Sequence, residues 1–273
     1  MPSQLRGASA DSLAALTEAL GAKVDGGADP TRVSDDLFGV SEVLRREPGL
    51  RRIVTDVSVT SEGKAELVDR IFGGKLDTAS LDLVKQAVGR RWAATRDLGD
   101  SLEYLGVIAV VRGAEAAGQA DALEEQLFAF ERLVAGTPDL RDALSDPARS
   151  VEDKRALLRG LLEGKATPST IRLAEQSVAG THRTVQVALD EYERIAAAYR
   201  NRLVAEVRVA RPLSDTDGQR LAGSLAKQYG RPVHLNVVVD ADVMGGIRVE
   251  IGDDVIDGTM VSRLQDARRS LAG

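Results

Sequence analysis

The strongest constraint on the fold is an internal repeat. The segment LFGVSEVLRREPGLRRIVTD, which begins at Leu37, aligns without gaps with LFAFERLVAGTPDLRDALSD, which begins at Leu127, at an offset of 90 residues. The same register continues as far as Val88 and Val178. Matches in a single ungapped register over this distance indicate a duplicated structural unit.

The apolar residues of each copy recur at the spacing of a buried helical stripe. In the first copy the stripe is Val33, Leu37, Val40 and Leu44, and in the second it is Leu123, Leu127, Phe130 and Val134. Pro48-Gly49 and Thr137-Pro138 then break the helix. Because the pattern is kept while the side chains change, the repeat indicates packing. Leu13, Leu16 and Leu20 predict an opening helix for the first copy, and residues 102–111 predict one for the second.

The boundaries of the next helix also repeat. Thr60 in the first copy and Ser150 in the second are suited to cap its amino end. Gly74-Lys75 and Gly164-Lys165 end it, since glycine accepts a left-handed backbone and lysine complements the helix dipole.

After the second copy and a long helical run from Val185, the apolar period changes to that of strands. LVAEVRVA and VHLNVVVD alternate in character and predict two strands, and a helix capped at Ser214 or Asp215 is expected between them. MGGIRVEIGDDVIDG predicts a β-hairpin that turns at Gly252-Asp253 or Asp253-Asp254. TMVSRLQDARRSLAG predicts an amphipathic closing helix.

These patterns predict a mainly α chain with a C-terminal α/β (α+β) domain. The expected order is two tandem helical bundles followed by a small strand-helix-strand-hairpin-helix domain. The boundaries place the first helical repeat at 1–100, the second at 101–200 and the C-terminal domain at 201–273.

Composition excludes several classes of function. The chain has no cysteine, which removes disulfides, thiolate metal sites and cysteine nucleophiles. A net charge of −6 disfavours a general nucleic-acid binder, and Arg90, Arg91 and Arg96 around Trp92 are expected to form a solvated helix face. The longest apolar run is far shorter than the roughly 20 residues that span a membrane. With no signal-peptide pattern either, the chain is expected in the cytoplasm.

Residues suited to catalysis are few. Asp253, Asp254 and Asp257 could form a general acid and base, but carboxylates beside glycine in tight turns more often serve the backbone. The two histidines, His182 and His234, fall in different predicted domains. We therefore expect no catalytic residue, no metal site and no cofactor.

The C-terminal segment MGGIRVEIGDDVIDGTMVSRLQDARRSL resembles the signature of the delta subunit of bacterial F-type ATP synthase, the counterpart of the mitochondrial oligomycin-sensitivity-conferring protein. The resemblance extends back through RPLSDTDGQRLAGSLAKQYGRPVHLNVVVD. It implies a structural or partner-binding role for the motif residues, which are Gly245, Gly246, Gly252, Asp253, Ile256, Asp257, Gly258 and Leu264.

The same resemblance implies a non-catalytic stator subunit, peripheral to the cell membrane on its cytoplasmic side. Its helical domain would grip the amino-terminal helices of alpha subunits, and its C-terminal domain would engage the membrane-anchored b subunit. The tie would resist rotor torque during proton-driven ATP synthesis. This chain departs from the family pattern by about ninety additional residues, and the second copy is expected to be the ordinary helical domain.

Two alternatives follow from the residues alone. One is a helical-repeat adaptor unrelated to ATP synthase, in which the duplication supplies two similar grooves. The other is a small-molecule enzyme that uses the turns of the C-terminal domain.

Overall fold

A computed structural model describes residues 5–200, 203–230, 233–240, 243, 246–251 and 254–257. The chain divides into two compact units, Met1–Ala197 and Ala198–Gly273. The first unit contains both sequence repeats and the second contains the strands, which confirms the predicted fold class. The finer division at residues 100 and 200 stays a prediction.

Eleven helices lie in the described part of the chain before the first strand. They are α1 (Ala8–Asp25), α2 (Pro30–Arg46), α3 (Pro48–Thr55), α4 (Ser61–Phe72), α5 (Thr78–Gly89), α6 (Asp97–Ala116), α7 (Ala120–Gly136), α8 (Pro138–Ser145), α9 (Val151–Leu162), α10 (Pro168–Ser177) and α11 (Val185–Arg200).

The structure confirms the duplicated unit. Helices α2 to α5 recur as α7 to α10, and each helix of the second set begins 90 residues after its counterpart. The residues of both predicted apolar stripes are buried. Pro48 and Pro138 do more than break a helix, because each begins a further helix of eight residues, α3 or α8. Proline suits this first position, where its missing N–H has no partner to lose.

The predicted helix boundaries are confirmed in both copies. The Thr60 side chain accepts a hydrogen bond from the backbone N–H of Gly63, and Ser150 caps α9 in the same way. Gly74 and Gly164 have φ angles of 74° and 73°, in the left-handed region that favours glycine. The Lys75 Nζ donates to a carbonyl of the last turn of α4 at 2.8 Å.

Equivalent positions in the two copies each supply a side chain that accepts a hydrogen bond at the start of a helix, α5 in the first copy and α10 in the second. Asp36 Oδ2 accepts from the backbone N–H of Asp77 at 2.8 Å, and Gln126 Oε1 accepts from that of Thr167 at 2.8 Å. The positions correspond at the repeat offset, although aspartate has become glutamine. The contact is therefore kept for its geometry, and either side chain supplies the acceptor.

Helix α6 is the centre of the first unit. It is the sixth helix of the first copy and also the opening helix of the second, so the two copies share it. Fifteen of its 20 residues are buried, and it contacts α1, α2, α5, α7 and α10. A helix that is apolar on all sides requires cover on all sides. The two copies therefore form one core.

Three glycines of α6 bring α2 close to it. Gly99 faces Ser41, Gly106 faces Phe38 and Gly113 faces Pro30. The Ser41 hydroxyl donates to the carbonyl oxygen of Gly99 at 2.9 Å. A Cβ on Gly106 would lie 2.4 Å from a ring carbon of Phe38, which is closer than atoms can pack. Glycine is required at this crossing because the Phe38 ring fills the space.

Ion pairs join the second copy to the outer side of α2. Arg172 Nε lies 2.6 Å from Asp35 Oδ1, and Arg155 Nη2 lies 3.3 Å from Glu42 Oε2. Arg45 donates to the carbonyl oxygen of Ala179, beyond the end of α10. Partly exposed pairs of this kind contribute little stability each, but they show which face of α2 the second copy covers.

The second unit contains a four-stranded sheet in its described residues. The elements are β1 (Leu203–Val209), α12 (Asp215–Tyr229), β2 (Val233–Val239), β3 (Ile247–Ile251) and β4 (Asp254–Asp257). The sheet order is β2-β1-β3-β4, with β1 and β2 parallel and the other two pairings antiparallel. Its core comprises Ala205, Val207, Val209, Leu225, Val249 and Ile251.

The predicted hairpin is confirmed. Ile251 pairs with Asp254 across β3 and β4, which leaves two residues for the turn. The Ser214 cap and the end of α12 before Gly230 are also confirmed, and Gly230 has a φ of 67°. The predicted closing helix, residues 259–273, lies outside the described residues.

Val237 and Val239 of the edge strand β2 are 42% and 54% exposed. One expectation differs from the structure. The arginines around Trp92 do not form a helix face, since residues 90–96 connect α5 to α6. The Trp92 indole anchors this connection by donating to the Ala87 carbonyl oxygen at 2.9 Å.

The crossing of α2 and α6 gives a stability prediction. Gly106→Ala should lower the free energy of unfolding by roughly 1–3 kcal/mol, because the added methyl must displace the buried Phe38 ring. Gly160→Ala is the matched control, since nothing lies within 4 Å of its Cβ position on α9, and it should stabilise by about 0.5–1 kcal/mol. Urea unfolding followed by helical circular dichroism measures both. Equal effects of the two substitutions would contradict the proposed close crossing.

Candidate partner-binding surfaces

The C-terminal motif is only partly within the described residues. Gly246 precedes β3 with a φ of 87°, and Ile256 lies on β4. Asp257 ends β4, where its backbone pairs in register with Arg248. The remaining motif residues, Gly245, Gly252, Asp253, Gly258 and Leu264, lie outside the described residues. The partner-binding role of the motif stays a prediction.

Among the described residues, strand β4 is an edge of the sheet. It pairs with β3 on one side, and Val255 and Ile256 are 54% and 37% exposed. Consecutive strand residues point to opposite faces, so β4 presents apolar surface on both. A strand edge that no other described strand pairs with, and that carries exposed apolar side chains, is suited to bind a partner chain.

The aspartates considered for acid–base chemistry are not shown to form a pair. Asp254 Oδ2 accepts a hydrogen bond from the Tyr229 hydroxyl at 3.2 Å, which ties α12 to β4. Burial and this carboxylate raise the pKa of Tyr229. Asp253 lies outside the described residues, as does the side chain of Asp257. The hydrogen bond to Tyr229 thus gives the Asp254 carboxylate a structural role.

A buried carboxylate on α6 links three segments of the first unit. Glu103 is 2% exposed, and its Oε1 accepts from the Tyr192 hydroxyl of α11 at 2.6 Å. Its Oε2 accepts from the backbone N–H of Thr181 at 2.6 Å. Gly180 passes so close that a Cβ there would lie 2.1 Å from Oε1. Glu103 therefore holds α11 and the connection before it against α6.

A cavity of about 460 Å³ adjoins this carboxylate. Asp100 and His182 also line it, and the His182 Nε2 lies 4.0 Å from Glu103 Oε1. Burial and the Glu103 carboxylate raise the pKa of Asp100. Within the described residues no group of three or more acids and histidines could hold a metal ion. Both Glu103 oxygens already accept hydrogen bonds. The carboxylate therefore has a structural role, and we call Glu103 with its partners Tyr192 and Thr181 the Glu103 joint.

Sequence reasoning did not identify Glu103. The available signal was a charged residue at the start of the apolar stretch 102–111, which was predicted to be the opening helix of the second copy. Charged side chains are rarely fully buried without partners. Its partners, Tyr192 and Thr181, are more than 75 residues away in the sequence, so only the fold brings them together.

A second surface lies between α7 and α11. It is an open groove of about 370 Å³, lined by Phe128, Glu131, Gln186, Val187, Asp190 and Glu193. Phe128 is 53% exposed and Val187 is 50% exposed. Burial raises the pKa of Glu193, and the neighbouring Glu131 and Asp190 carboxylates raise it further. Apolar side chains and carboxylates thus share one concave surface.

The Glu103 joint gives a prediction for Tyr192→Phe. The substitution keeps the ring but leaves a buried carboxylate oxygen without its donor, and should cost about 1–3 kcal/mol of folding free energy at neutral pH. Tyr229→Phe is the control, because its hydroxyl bond to Asp254 is exposed, and should change stability little. Chemical unfolding measures the free energy of unfolding of both variants. Equal losses of stability in the two would contradict a particular stabilising role for the hydrogen bond between Tyr192 and Glu103.

The same variant has an expected alkaline signature. Burial and the Glu103 carboxylate raise the pKa of Tyr192 well above 10. A raised folded-state pKa means that this stabilisation is complete below the unfolded pKa of about 10 and is lost as pH rises through the folded value. Unfolding measured above pH 10 should therefore show a smaller alkaline loss of stability in Tyr192→Phe than in the wild type.

None of the helices in the described ranges combines the length and apolar character needed to cross a bilayer.

The protein-family model for the ATP synthase delta (OSCP) subunit matches residues 108–271. The match begins within α6 and covers the second copy and the C-terminal unit.

Full-length relatives carry the same name. The ATP synthase subunit delta of Nocardioides sp. is 51% identical, over 99% of this chain and 98% of its own length. That of Kineococcus radiotolerans is 44% identical over 96% of both chains, and that of Streptomyces coelicolor is 43% identical over 99% of both. The first copy is therefore included in these alignments.

These matches do not favour an unrelated adaptor or a small-molecule enzyme. They agree with the structure, in which the buried Glu103 carboxylate has a structural role. The β4 edge and the groove beside Phe128 are exposed surfaces suited to bind partner chains. The chain belongs to the ATP synthase delta (OSCP) subunit family, whose members are non-catalytic peripheral-stalk subunits of F-type ATP synthase.

Proposed function

We propose that this chain ties the catalytic head to the b subunit at the cytoplasmic face of the cell membrane. The helical unit would hold the amino-terminal helices of alpha subunits, and the C-terminal unit would engage b. The observation that carries the proposal is the family match from residue 108 to 271, which spans a helical copy together with the C-terminal unit.

The docking copy on the head is proposed to be the second. The family match includes α7 to α10 but not α2 to α5. The second copy also keeps an open groove beside Phe128, whereas the corresponding Phe38 is buried against α6. A helix from a partner needs an accessible apolar surface, and the second copy offers one.

The C-terminal contact is proposed to use the β4 edge. Val255 and Ile256 expose apolar surface there, and Ile256 belongs to the family motif. Such a contact transmits load through buried area and shape and needs no reactive side chain. A stator requires contacts of this kind at both attachments, because either one alone leaves the head free to turn.

Site-specific crosslinking tests the arrangement. The chain has no cysteine, so single cysteines can be placed at Val57 and Pro147, exposed positions 90 residues apart in the two copies, and at Val255. In the assembled synthase, Pro147→Cys should crosslink to alpha and Val255→Cys to b. Alpha crosslinks from Val57→Cys alone would assign the head contact to the first copy.

Truncation tests the mechanical role. Removing Val255–Gly273 should abolish ATP-driven proton pumping in membrane vesicles, because the head loses its tie to b. ATP hydrolysis by the head should survive, since the family is non-catalytic. Loss of hydrolysis along with pumping would contradict the non-catalytic role, and normal pumping would show that the tie lies elsewhere.

A further inference from the structure

A pair of acids on α6 recurs on α11. At the repeat offset of 90 residues, Asp100 and Glu103 of α6 correspond to Asp190 and Glu193 of α11. In each helix the two acids are three residues apart, which places them side by side on one face. The duplication therefore allows the surroundings of the two carboxylate pairs to be compared.

The buried member of the first pair has its donors. Glu103 accepts from the Tyr192 hydroxyl and from the backbone N–H of Thr181, both at 2.6 Å. Both donors lie in the chain that follows α10, the last helix in register with the first copy. The first pair therefore uses the second copy and α11 to satisfy its buried acid.

The second pair has no following copy, because the chain enters β1 after α11. Among the described residues, Glu193 Oε1 is buried without a hydrogen-bond partner. Glu131 of α7 and Asp190 line the same groove. An ionised carboxylate only accepts hydrogen bonds, so these two neighbours add repulsion without supplying a donor. A buried acceptor left in this state is unfavourable.

Asp100 is half-buried among several charged groups on the other side of α11. It lines the cavity of about 460 Å³ together with Arg96, Asp97, Glu103, His182, Arg183, Glu191 and Arg194. Arg194 pairs with Asp190 and Glu191, and the Arg96 side chain is 73% exposed. The cations around Asp100 are thus engaged elsewhere or screened by solvent, whereas the Glu103 carboxylate is buried beside it.

A proton relieves both acids. A protonated carboxyl group donates as well as accepts, so Glu193 in this form can donate to a neighbouring carboxylate. A protonated Asp100 no longer repels Glu103. Burial raises the pKa of both acids, and the nearby carboxylates raise it further. For an acid with a raised folded-state pKa, the stabilisation is complete below the unfolded pKa and is lost as pH rises through the folded value.

We propose that the packing of α11 on α6 and α7 responds to protons: mild acidification tightens it by neutralising Asp100 and Glu193. Asp100 acts on the side of α11 that faces α6, and Glu193 acts on the side that faces α7. Helix α11 ends at Arg200 and β1 begins at Leu203, so the helix concerned is the one that leads into the second unit. The inference goes beyond the proposed function and does not depend on it.

Hydrogen exchange of the full chain tests the proposal. Amide protection factors of α11, corrected for the intrinsic pH dependence of exchange, are compared at about pH 7.5 and about pH 5.5, where ordinary carboxylates remain ionised. Protection of α11 should rise at least about threefold on acidification. Protection of α2 should not rise, because its Asp35 and Glu42 are paired with arginines.

Neutral side chains should imitate the acidified state. Asp100→Asn with Glu193→Gln removes both charges at nearly constant size, so α11 should be as protected at about pH 7.5 as wild type is at about pH 5.5. Each single substitution should give part of this change, which keeps the test valid if the double variant folds poorly. Glu66→Gln with Glu125→Gln is the matched control, because both acids are exposed, and it should keep the wild-type response.

His182→Gln separates the acids from the histidine. The His182 Nε2 lies 4.0 Å from Glu103 Oε1, and an imidazole that gains a proton beside a carboxylate would also favour the acidified structure. The variant should retain at least about half of the pH response.

Three outcomes would overturn the inference. The first is α11 protection in the wild type that stays constant or falls on acidification. The second is a variant with Asp100→Asn and Glu193→Gln that responds to pH as the matched control does. The third is loss of the response in His182→Gln. None of these measurements involves alpha or b, so the crosslinking test of the proposed function is decided separately.

Discussion

The first unit depends on the burial of α6 from every side. A helix with so little polar surface is unstable where one of its faces is exposed to solvent, so helices of both copies must pack against it. The first copy contributes α1, α2 and α5, and the second contributes α7 and α10. The two tandem copies are joined by a common core, because both pack against α6. A stiff connection between copies follows from that shared packing.

Glu103 complements the apolar core with directional contacts. The apolar side chains of α6 fix where it lies, but they tolerate small rotations and shifts. The carboxylate accepts one bond from α11 and one from the connection before it, and these specify a single arrangement. Burying an acid has a desolvation cost, which the two short hydrogen bonds offset in part. The charge serves to position α11, the helix whose outer surface forms one wall of the open groove.

The sequence was sufficient to predict most of the helices in the described residues, several of their caps and the hairpin, because these depend on local spacing and turn chemistry; the short helices α3 and α8 were not predicted. The 90-residue register also predicted which helices correspond. It did not predict that α6 would serve both copies, since sharing is decided by which faces of a helix are covered in space. The valines of β2 illustrate the same limit: alternation predicts two faces, and strand order decides how far an edge strand is buried. The groove required a comparison of Phe38 with Phe128, identical residues whose surroundings differ.

The sharing of α6 also affects how such a chain can change over evolutionary time. The family match begins at residue 108, inside this helix, so a boundary drawn from sequence similarity passes through the middle of the core. Losing the first copy would uncover Gly99, Gly106 and their apolar neighbours. A shortened descendant would need new polar side chains along α6 before it could remain monodisperse. Deletion of the first copy alone is therefore expected to leave a chain that self-associates through the uncovered apolar surface of α6.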